Sequence, residues 1–218
     1  MSNNICQSDA SELLLVEGGD DCHSIVQICM QYKLPEVFGV YDCGGIGKLY
    51  DALLSLIASS QRPNILGVVI DSDDGSAEDR WERFRAITNR FGYATPASPK
   101  PEGVILPSVK ITPSKALPRL GIWIMPNNKD KGMLEDFLLR MADKTCMAKA
   151  AECVSLVKEA GIAKFKDAHQ SKAILHTYLA WQDEPGKPYG LAIKSKCLVP
   201  ETSECKLFTT WLQMLFLD

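Results

Sequence analysis

The feature that most constrains the fold of this chain is an alternation of short apolar runs with longer amphipathic segments. The first apolar run, residues 12–16, ends at a glutamate and two glycines, and a helical pattern follows over residues 20–32. Further apolar runs at residues 37–41 and 65–70 are each followed by an amphipathic stretch. Runs this short and this apolar are typical of strands buried on both faces. Strand and helix in alternation predict an α/β fold with parallel strands.

The second half of the chain has a different pattern. Residues 94–118 are rich in proline and serine, and residues 120–125 form one further apolar run. The remainder is mostly helical in pattern, with a proline- and glycine-rich interruption over residues 184–190. We therefore predict an α/β core over residues 1–145 and an α-helical C-terminal extension over residues 146–218 that packs on this core.

Composition excludes several classes of protein. Of the 218 residues 46% are hydrophobic, and no apolar run approaches the roughly 20 residues that span a bilayer. The N-terminal residues lack the basic and apolar regions of a secretory signal, so we expect a cytoplasmic protein with no membrane attachment. The net charge of −3 does not favour binding nucleic acid by charge alone. An acidic site can nevertheless recruit divalent cations that then meet phosphate.

The eight cysteines show no metal-ligand or redox spacing. None forms a Cys-x-x-Cys pair, and the three histidines do not complete a zinc-ligand pattern with them. In a chain with no export signal, we expect reduced thiols that act mostly as small apolar core residues. Cys22 and Cys29 are seven residues apart on one predicted helix, a spacing that favours burial on one face.

Acidic side chains follow the predicted strands where each strand ends. Glu17 follows the first strand, with Asp21 four residues later, and Asp71 and Asp73 follow the third. Because ligands of open parallel sheets gather at the carboxyl ends of the strands, we expect these carboxylates to meet. Crowded carboxylates repel one another unless cations lie among them, and Mg²⁺ or Mn²⁺ prefers oxygen ligands. The segment 71–75 is also typical of a solvated turn, but its combination with Glu17 favours a metal site.

These strand ends carry a resemblance to a known domain. Val-Glu-Gly at residues 16–18 and Asp-Ser-Asp at residues 71–73 resemble the Toprim domain of topoisomerases, primases, RNase M5-type maturases and OLD-family nucleases. The spacing of Glu17 and Asp21 is most similar to the OLD and RNase M5 members. Nearly the whole chain also resembles the uncharacterised Toprim-like DUF3226 family. That likeness lies in Leu-Val-Glu-Gly at 15–18, Gly-Ile-Trp-Ile-Met-Pro-Asn at 121–127, Leu-Glu-Asp-Phe at 134–137, Leu-Ala-Trp-Gln at 179–182 and Pro-Gly at 185–186.

The resemblance implies a Toprim-like Rossmannoid parallel sheet flanked by helices and a Mg²⁺- or Mn²⁺-dependent nuclease. It implies that Glu17 is a metal ligand or general acid/base and that Asp71 and Asp73 hold a metal. It also implies that Asp21 and Glu135 complete a second metal position. Two ions about 4 Å apart would clamp the attacking and leaving oxygens while water attacks the phosphodiester. Glu135 is equally typical of a first helical turn, where the helix dipole favours acids.

Nucleases of this type also use a lysine to neutralise charge in the transition state. Three lysines follow the acidic residues in the sequence: Lys172, Lys187 and Lys194. Each is also typical of a solvated surface. We favour Lys172 as the catalytic lysine because the helix that it opens carries the family-like Leu-Ala-Trp-Gln segment.

The glycine-rich segment 44–48 matches neither the P-loop pattern nor the dinucleotide-binding fingerprint. Two interpretations stay open. The segment is a tight strand-to-helix turn, or its N–H groups at Gly45 and Gly47, together with Lys48, contact a substrate phosphate.

Two further sets of residues have alternative interpretations. We expect the C-terminal aromatic residues to pack the helices on one another rather than stack on bases. These residues are Trp181, Phe208, Trp211 and Phe216. Arg80, Arg83 and Arg90 on one predicted helix form either a modest basic face or a solvated surface.

Two rival functions remain beside the nuclease. One is a non-catalytic or regulatory Toprim-like module that acts with a partner such as an ATPase, in phage defence or in repair. The other is a metal-dependent enzyme that acts on nucleotides. For the nuclease the expected partner is nucleic acid, with DNA and RNA both open, and a homo-oligomer is left open.

Overall fold

The computed structural model describes Cys6, residues 10–113 and residues 115–218. The strands are β1 (Leu13–Val16), β2 (Gly39–Asp42), β3 (Ile65–Asp71), β4 (Val104–Leu106), β5 (Lys110–Thr112), β6 (Lys115–Ala116) and β7 (Arg119–Met125). The helices are α1 (Gly19–Gln31), α2 (Ile46–Ala58), α3 (Ala77–Arg90), α4 (Leu134–Leu139), α5 (Lys144–Glu159), α6 (Gln170–Ala180), α7 (Tyr189–Lys194) and α8 (Ser203–Phe216). None of the helices in this part of the chain has the length and apolar character needed to cross a membrane.

A mostly parallel sheet forms the centre of the described structure. Its five strands lie in the order β2-β1-β3-β7-β4. β1 pairs in parallel with both β2 and β3, and β3 pairs in parallel with β7. The edge strand β4 is antiparallel to β7, and β5 and β6 form a separate hairpin. The predicted α/β class is therefore confirmed, with helices on the sheet and a helical C-terminal region.

Both faces of the sheet are covered, and the alternation of side chains along β3 shows how. Val69 points into one core, which includes buried residues of α1, α4, α6, α7 and α8. Val68 and Ile70 point into the other core, which includes buried residues of α2 and α3. Strands buried on two faces need apolar side chains at every position, which explains the unbroken apolar runs in the sequence.

Helix α8 packs closely on the sheet because two strands carry glycine beneath it. A Cβ added at Gly121 would lie 2.3 Å from Leu215 Cδ2, and one added at Gly67 would lie 3.1 Å from the same atom. Any larger residue at these positions would push the helix away from the sheet. The rings of Trp123 in β7 and Trp211 in α8 lie 5.6 Å apart.

The expectation for the aromatic residues is confirmed in three positions and wrong in one. Phe208, Trp211 and Phe216 are buried in the core beneath α8. Trp181 is 47% exposed. It follows directly after the end of α6, where the chain turns away from the core.

Two helix boundaries differ from the prediction. The segment 44–48 was interpreted as a turn that precedes the helix, but α2 begins at Ile46, so Gly47 and Lys48 lie in its first turn. The interruption predicted over residues 184–190 contains the start of α7 at Tyr189, directly after Pro188. Proline lacks an N–H to donate and is tolerated where a helix begins, so it marks a start here rather than a break.

The expectation of reduced thiols is wrong for two of the cysteines. Cys6 and Cys22 are joined by a disulfide, with their Cα atoms 5.9 Å apart. The carbonyl of Cys6 accepts a hydrogen bond from the N–H of Asp42 at 3.0 Å, which fixes Cys6 beside the end of β2. This contact arises from the folded chain and has no signal in the cysteine spacing. The predicted burial is found for Cys22, and Cys29 is half-buried.

Candidate metal centre

Two carboxylates stand at the ends of adjacent parallel strands. Glu17 directly follows β1, and Asp71 is the last residue of β3, which pairs with β1. Glu17 Oε1 accepts a hydrogen bond from the backbone N–H of Asp71 at 2.8 Å. Asp71 Oδ1 accepts one from the N–H of Leu134 at 2.9 Å. Burial raises the pKa of Glu17 and raises that of Asp71 well above its ordinary value.

Two helix N-termini bring further carboxylates to this edge of the sheet. Asp21 lies in the first turn of α1, where its Oδ2 accepts a hydrogen bond from the N–H of Gly18 at 3.1 Å. The other oxygen, Oδ1, is buried and has no hydrogen-bond partner within the described residues. Glu135 lies in the first turn of α4 and is 4% exposed. A buried polar atom without a partner costs free energy, so Asp21 Oδ1 calls for a proton or a cation.

Mutual repulsion shows that the four carboxylates converge. We call Glu17, Asp21, Asp71 and Glu135 the acidic cluster. Burial and then the charge of Glu17 raise the pKa of Asp21 to about 7, with a smaller contribution from Glu135. After burial, the charges of the other three members all raise the pKa of Asp71. Parallel strand ends and helix starts meet at this edge, as the sequence predicts.

Asp73 stands at the rim of the acidic cluster. Its carboxylate forms an ion pair with Arg80 of α3, and its side chain is 46% exposed. Asp71 and Asp73 are two residues apart, a spacing that places both side chains on one side of a strand that continues through them. The strand ends at Asp71, however, and Asp73 has a φ of 55°, so strand alternation no longer applies to it. The charge of Asp73 still reaches the cluster, where it contributes to raising the pKa of Glu17.

Two residues from the C-terminal helices hold Glu135. The Lys172 Nζ lies 3.1 Å from Glu135 Oε1, and the Tyr189 hydroxyl donates a hydrogen bond to the same oxygen at 3.1 Å. The Tyr189 oxygen also lies 3.1 Å from His176 Nε2. Burial lowers the pKa of Lys172, but the Glu135 carboxylate and the charges of Asp20 and Asp71 together raise it further, so the net shift is upward and the amine is a cation. Of the other candidate lysines, Lys187 pairs with a glutamate three residues before it at 3.7 Å.

The glycine turn after β2 lies beside the cluster. The N–H of Gly45 donates to the carbonyl of Glu17 at 2.7 Å, and Gly44 and Gly45 have φ values of 70° and 118° that favour glycine. A Cβ added at Gly44 would lie 3.5 Å from Lys48 Nζ, so the lysine side chain folds over the turn. The start of α2 has no side-chain cap, and the space beside Gly45 and Gly47 is open. Both interpretations of this segment therefore remain, the tight turn and the phosphate contact.

The carboxylates do not yet stand in a coordination geometry. No group of three or more His, Cys, Asp or Glu side chains within the described residues is arranged to hold a metal ion. One oxygen of each cluster carboxylate is instead turned to a donor of the protein itself. Among the second oxygens, Asp21 Oδ1 is buried and has no hydrogen-bond partner in the described part of the chain. Carboxylate oxygens are the hard ligands that Mg²⁺ and Mn²⁺ prefer. The donor set fits such a cation, which would draw the carboxylates together.

Sequence reasoning missed two residues that contact the site. Tyr189 lies in the segment interpreted as an interruption between helices. A proline at 188 followed by apolar residues is a pattern typical of a helix start and could have revealed it. Arg80 was interpreted only as part of a basic or solvated helix face. Arg80 lies seven residues after Asp73, beyond the Ser76 cap of α3, and this spacing does not predict an ion pair between the two side chains.

The fold and the acidic cluster define a mixed α/β protein with a candidate cation-binding site at the carboxyl ends of parallel strands. Over residues 11–217 the chain matches the family described as a protein of unknown function, DUF3226, and it belongs to that family. No curated protein and no solved structure matches the chain.

Proposed function

We propose that this protein is a Mg²⁺- or Mn²⁺-dependent nuclease that hydrolyses phosphodiester bonds of nucleic acid with two metal ions. The observation that carries the proposal is the convergence of the acidic cluster, with the buried Asp21 Oδ1 left without a partner. Buried carboxylates that raise one another's pKa are costly to a fold and are typical of functional sites. The Toprim resemblance of the strand ends adds support from the sequence.

The chain's own residues have distinct roles in this proposal. Bound divalent ions would supply the Lewis acid that polarises the phosphoryl group and stabilises the leaving oxygen. The acidic cluster and Asp73 would hold the ions. Burial raises the pKa of Glu17, which suits a general acid or base. Lys172, a cation beside Glu135, would neutralise charge that develops on the phosphate.

The substrate backbone would be held at the glycine turn. The N-terminus of α2 has no side-chain cap, and the space beside Gly45 and Gly47 is open. The N–H of Gly45 already donates to the carbonyl of Glu17, so the N–H of Gly47 and the positive charge of Lys48 would make the phosphate contact, with Gly45 lining it. Helix N-termini with free N–H groups favour phosphate. Substrate contact at this turn is part of the proposal and extends to DNA and RNA alike.

A cytoplasmic location is also a proposal, based on the sequence. The Cys6–Cys22 disulfide argues against it, because such bonds are rare in reducing compartments.

A regulatory module that acts with a partner such as an ATPase is a second candidate function. The observation that favours it is that no group of described side chains is arranged to hold a metal as the chain stands. In that case the chain would act through its partner rather than by cutting nucleic acid itself. A purified chain that cuts no nucleic acid but copurifies with a single protein would support this candidate.

The test of the nuclease is cleavage of end-labelled single- and double-stranded DNA and RNA by the purified protein with Mg²⁺ or Mn²⁺. We expect Asp71→Asn and Glu17→Gln each to reduce cleavage at least about 100-fold. Loss of a residue that only positions a metal ligand lowers activity about 10- to 100-fold, and loss of the ligand itself should lower it at least as much. Neither change should lower the melting temperature, since each removes a repelling charge. Glu159→Gln, a change at an exposed carboxylate at the end of α5, is the control and should cut normally. Undiminished cleavage by Asp71→Asn, or no cleavage of any substrate by the wild type, would refute the proposal.

A further inference from the structure

Arg80 supplies a positive charge at the rim of the acidic cluster. Its Nη2 contacts Asp73 Oδ2, and its side chain is 24% exposed. The guanidinium also acts on Glu17, where its charge opposes the rise in pKa that burial causes. The Arg80 guanidinium therefore neutralises the carboxylate of Asp73, the residue that we expect to hold a metal ion.

The backbone of Asp73 is held by a pair of hydrogen bonds with Gly132. Its N–H donates to the carbonyl of Gly132 at 2.8 Å, and its carbonyl accepts from the N–H of Gly132 at 3.1 Å. The buried Ser72 hydroxyl reinforces this contact, because it accepts from the same Gly132 N–H at 2.8 Å. With the backbone held, Asp73 can change its partner only by turning its side chain.

A second acceptor for Arg80 lies close by. The hydroxyl of Tyr50 is buried, and the Arg80 side chain already lies within reach of it. The Tyr50 ring lies beneath the Arg83 guanidinium, 3.8 Å from the ring centroid. Burial raises the pKa of Tyr50, while the charges of Arg83 and Arg80 and a side-chain hydrogen bond from Arg80 oppose that rise. Arginine carries five N–H donors, so Arg80 can leave Asp73 and still find an acceptor.

We propose that Arg80 and the second divalent cation compete for Asp73, so that the site binds its two cations in order. The first binds at the buried carboxylates of the acidic cluster. The second binds at Asp73 only after Arg80 has left that carboxylate and kept Tyr50 as its acceptor, because a guanidinium and a dication repel each other and share one carboxylate poorly. This inference rests on the proposed function and deepens it.

The test is a Mn²⁺ titration of the full chain, in which electron paramagnetic resonance measures free Mn²⁺. We expect a tight step and a weak step in the wild type. Arg80→Met should tighten the weak step at least about fivefold, because it removes the competing cation, and should tighten the tight step by a smaller factor, because the Arg80 charge also reaches Glu17. Asp73→Asn should lose the weak step alone. Arg90→Met, a change at the exposed end of the same helix, is the control and should reproduce the wild-type isotherm.

The outcomes separate this inference from the proposed function. A wild type that binds no Mn²⁺ would overturn both. Two steps in the wild type with an identical isotherm in Arg80→Met, or a weak step that survives in Asp73→Asn, would overturn the inference alone. One step in the wild type and two in Arg80→Met would support it. If Arg80→Met does not fold, Arg80→Lys replaces it in the test. Lysine keeps the positive charge, so the second binding step should remain weak. A tighter second step in Arg80→Lys would contradict the proposed competition between Arg80 and the second cation.

Discussion

Asp21 carries the clearest electrostatic cost among the residues of the site. Burial and the charges of Glu17 and Glu135 raise its pKa to about 7, from an ordinary value of 3.8. Between these two values the folded chain holds a proton at Asp21 that the unfolded chain has lost. Because the native state then binds more protons, its stability falls as pH rises from about 4 to about 7 and levels off above that range.

We predict that Asp21→Asn raises the free energy of unfolding at pH 8 in the presence of EDTA. The gain should be on the order of 1 to 3 kcal/mol, because asparagine cannot ionise and its oxygen can still accept from Gly18. At pH 4 the difference should nearly vanish. Urea denaturation followed by circular dichroism at both pH values measures this. Asp51→Asn, a change at an exposed carboxylate of α2, should show no such dependence on pH. Lower stability of Asp21→Asn at pH 8 would refute the electrostatic account.

At the residue scale, the sequence predicts part of the site for a physical reason. Glu17 and Asp71 end apolar runs, and the carboxyl ends of parallel strands meet at one edge. The ion pair of Asp73 with Arg80 was not predictable, because it depends on where β3 ends and on a left-handed backbone at Asp73. Tyr189 reaches Glu135 across 54 residues of sequence, a contact that no local pattern records.

Among the elements, the pair α1 and α7 positions one side of the site. Gly190 is the second residue of α7, and a Cβ added there would lie 2.9 Å from the carbonyl oxygen of His23 in α1. The close approach of the two helices therefore depends on this glycine. It also sets the position of Tyr189, the first residue of α7, which donates to Glu135.

We predict that Gly190→Ala lowers the free energy of unfolding by about 1 to 3 kcal/mol, because the methyl group meets backbone that cannot move freely. Gly47→Ala is a matched control, since Gly47 is also the second residue of its helix and a Cβ there would meet nothing within 4 Å. It should raise stability by up to about 1 kcal/mol through the helix propensity of alanine. Urea denaturation of both variants measures the difference. Changes of the same sign in the two variants would contradict the packing argument.

Helices that begin at a side-chain cap can be predicted from the sequence, whereas short helices and helices without a cap cannot. Ser76 caps α3, and its hydroxyl accepts from the N–H of Asp79 at 3.2 Å. The start of α2 has no side-chain cap, so the sequence pattern of its glycines indicates a loop rather than a helix start. α7 has only six residues, too few to show a helical period, and its packing against α1 supports it.

Across the whole molecule, the C-terminal helices fill one face of the sheet and complete the site. Leu215 of α8 lies over Gly67 and Gly121 of the central strands, while α6 and α7 supply Lys172 and Tyr189 to the cluster. The division at residue 145 stays a prediction. The structure shows that the C-terminal helices belong to the main core rather than to a separate one.

The fold class followed from the alternation of strands and helices, but the strand order did not. Sheet order depends on how each crossover packs, and β4 joins the edge antiparallel through a segment rich in proline and serine. Periodicity along the chain records which face of an element is buried. It does not record which strand lies beside it.

The most direct test of the account is a crystal of the full chain soaked in Mn²⁺ and measured at a wavelength where manganese scatters anomalously. We expect an anomalous peak among the carboxylate oxygens of Glu17, Asp21, Asp71 and Glu135, with at least three of them as ligands. The Asp21 Oδ1 should be among the ligands, because it is buried and without a partner. Crystals saturated with Mn²⁺ that show no peak at this edge, or a peak only elsewhere, would contradict the account.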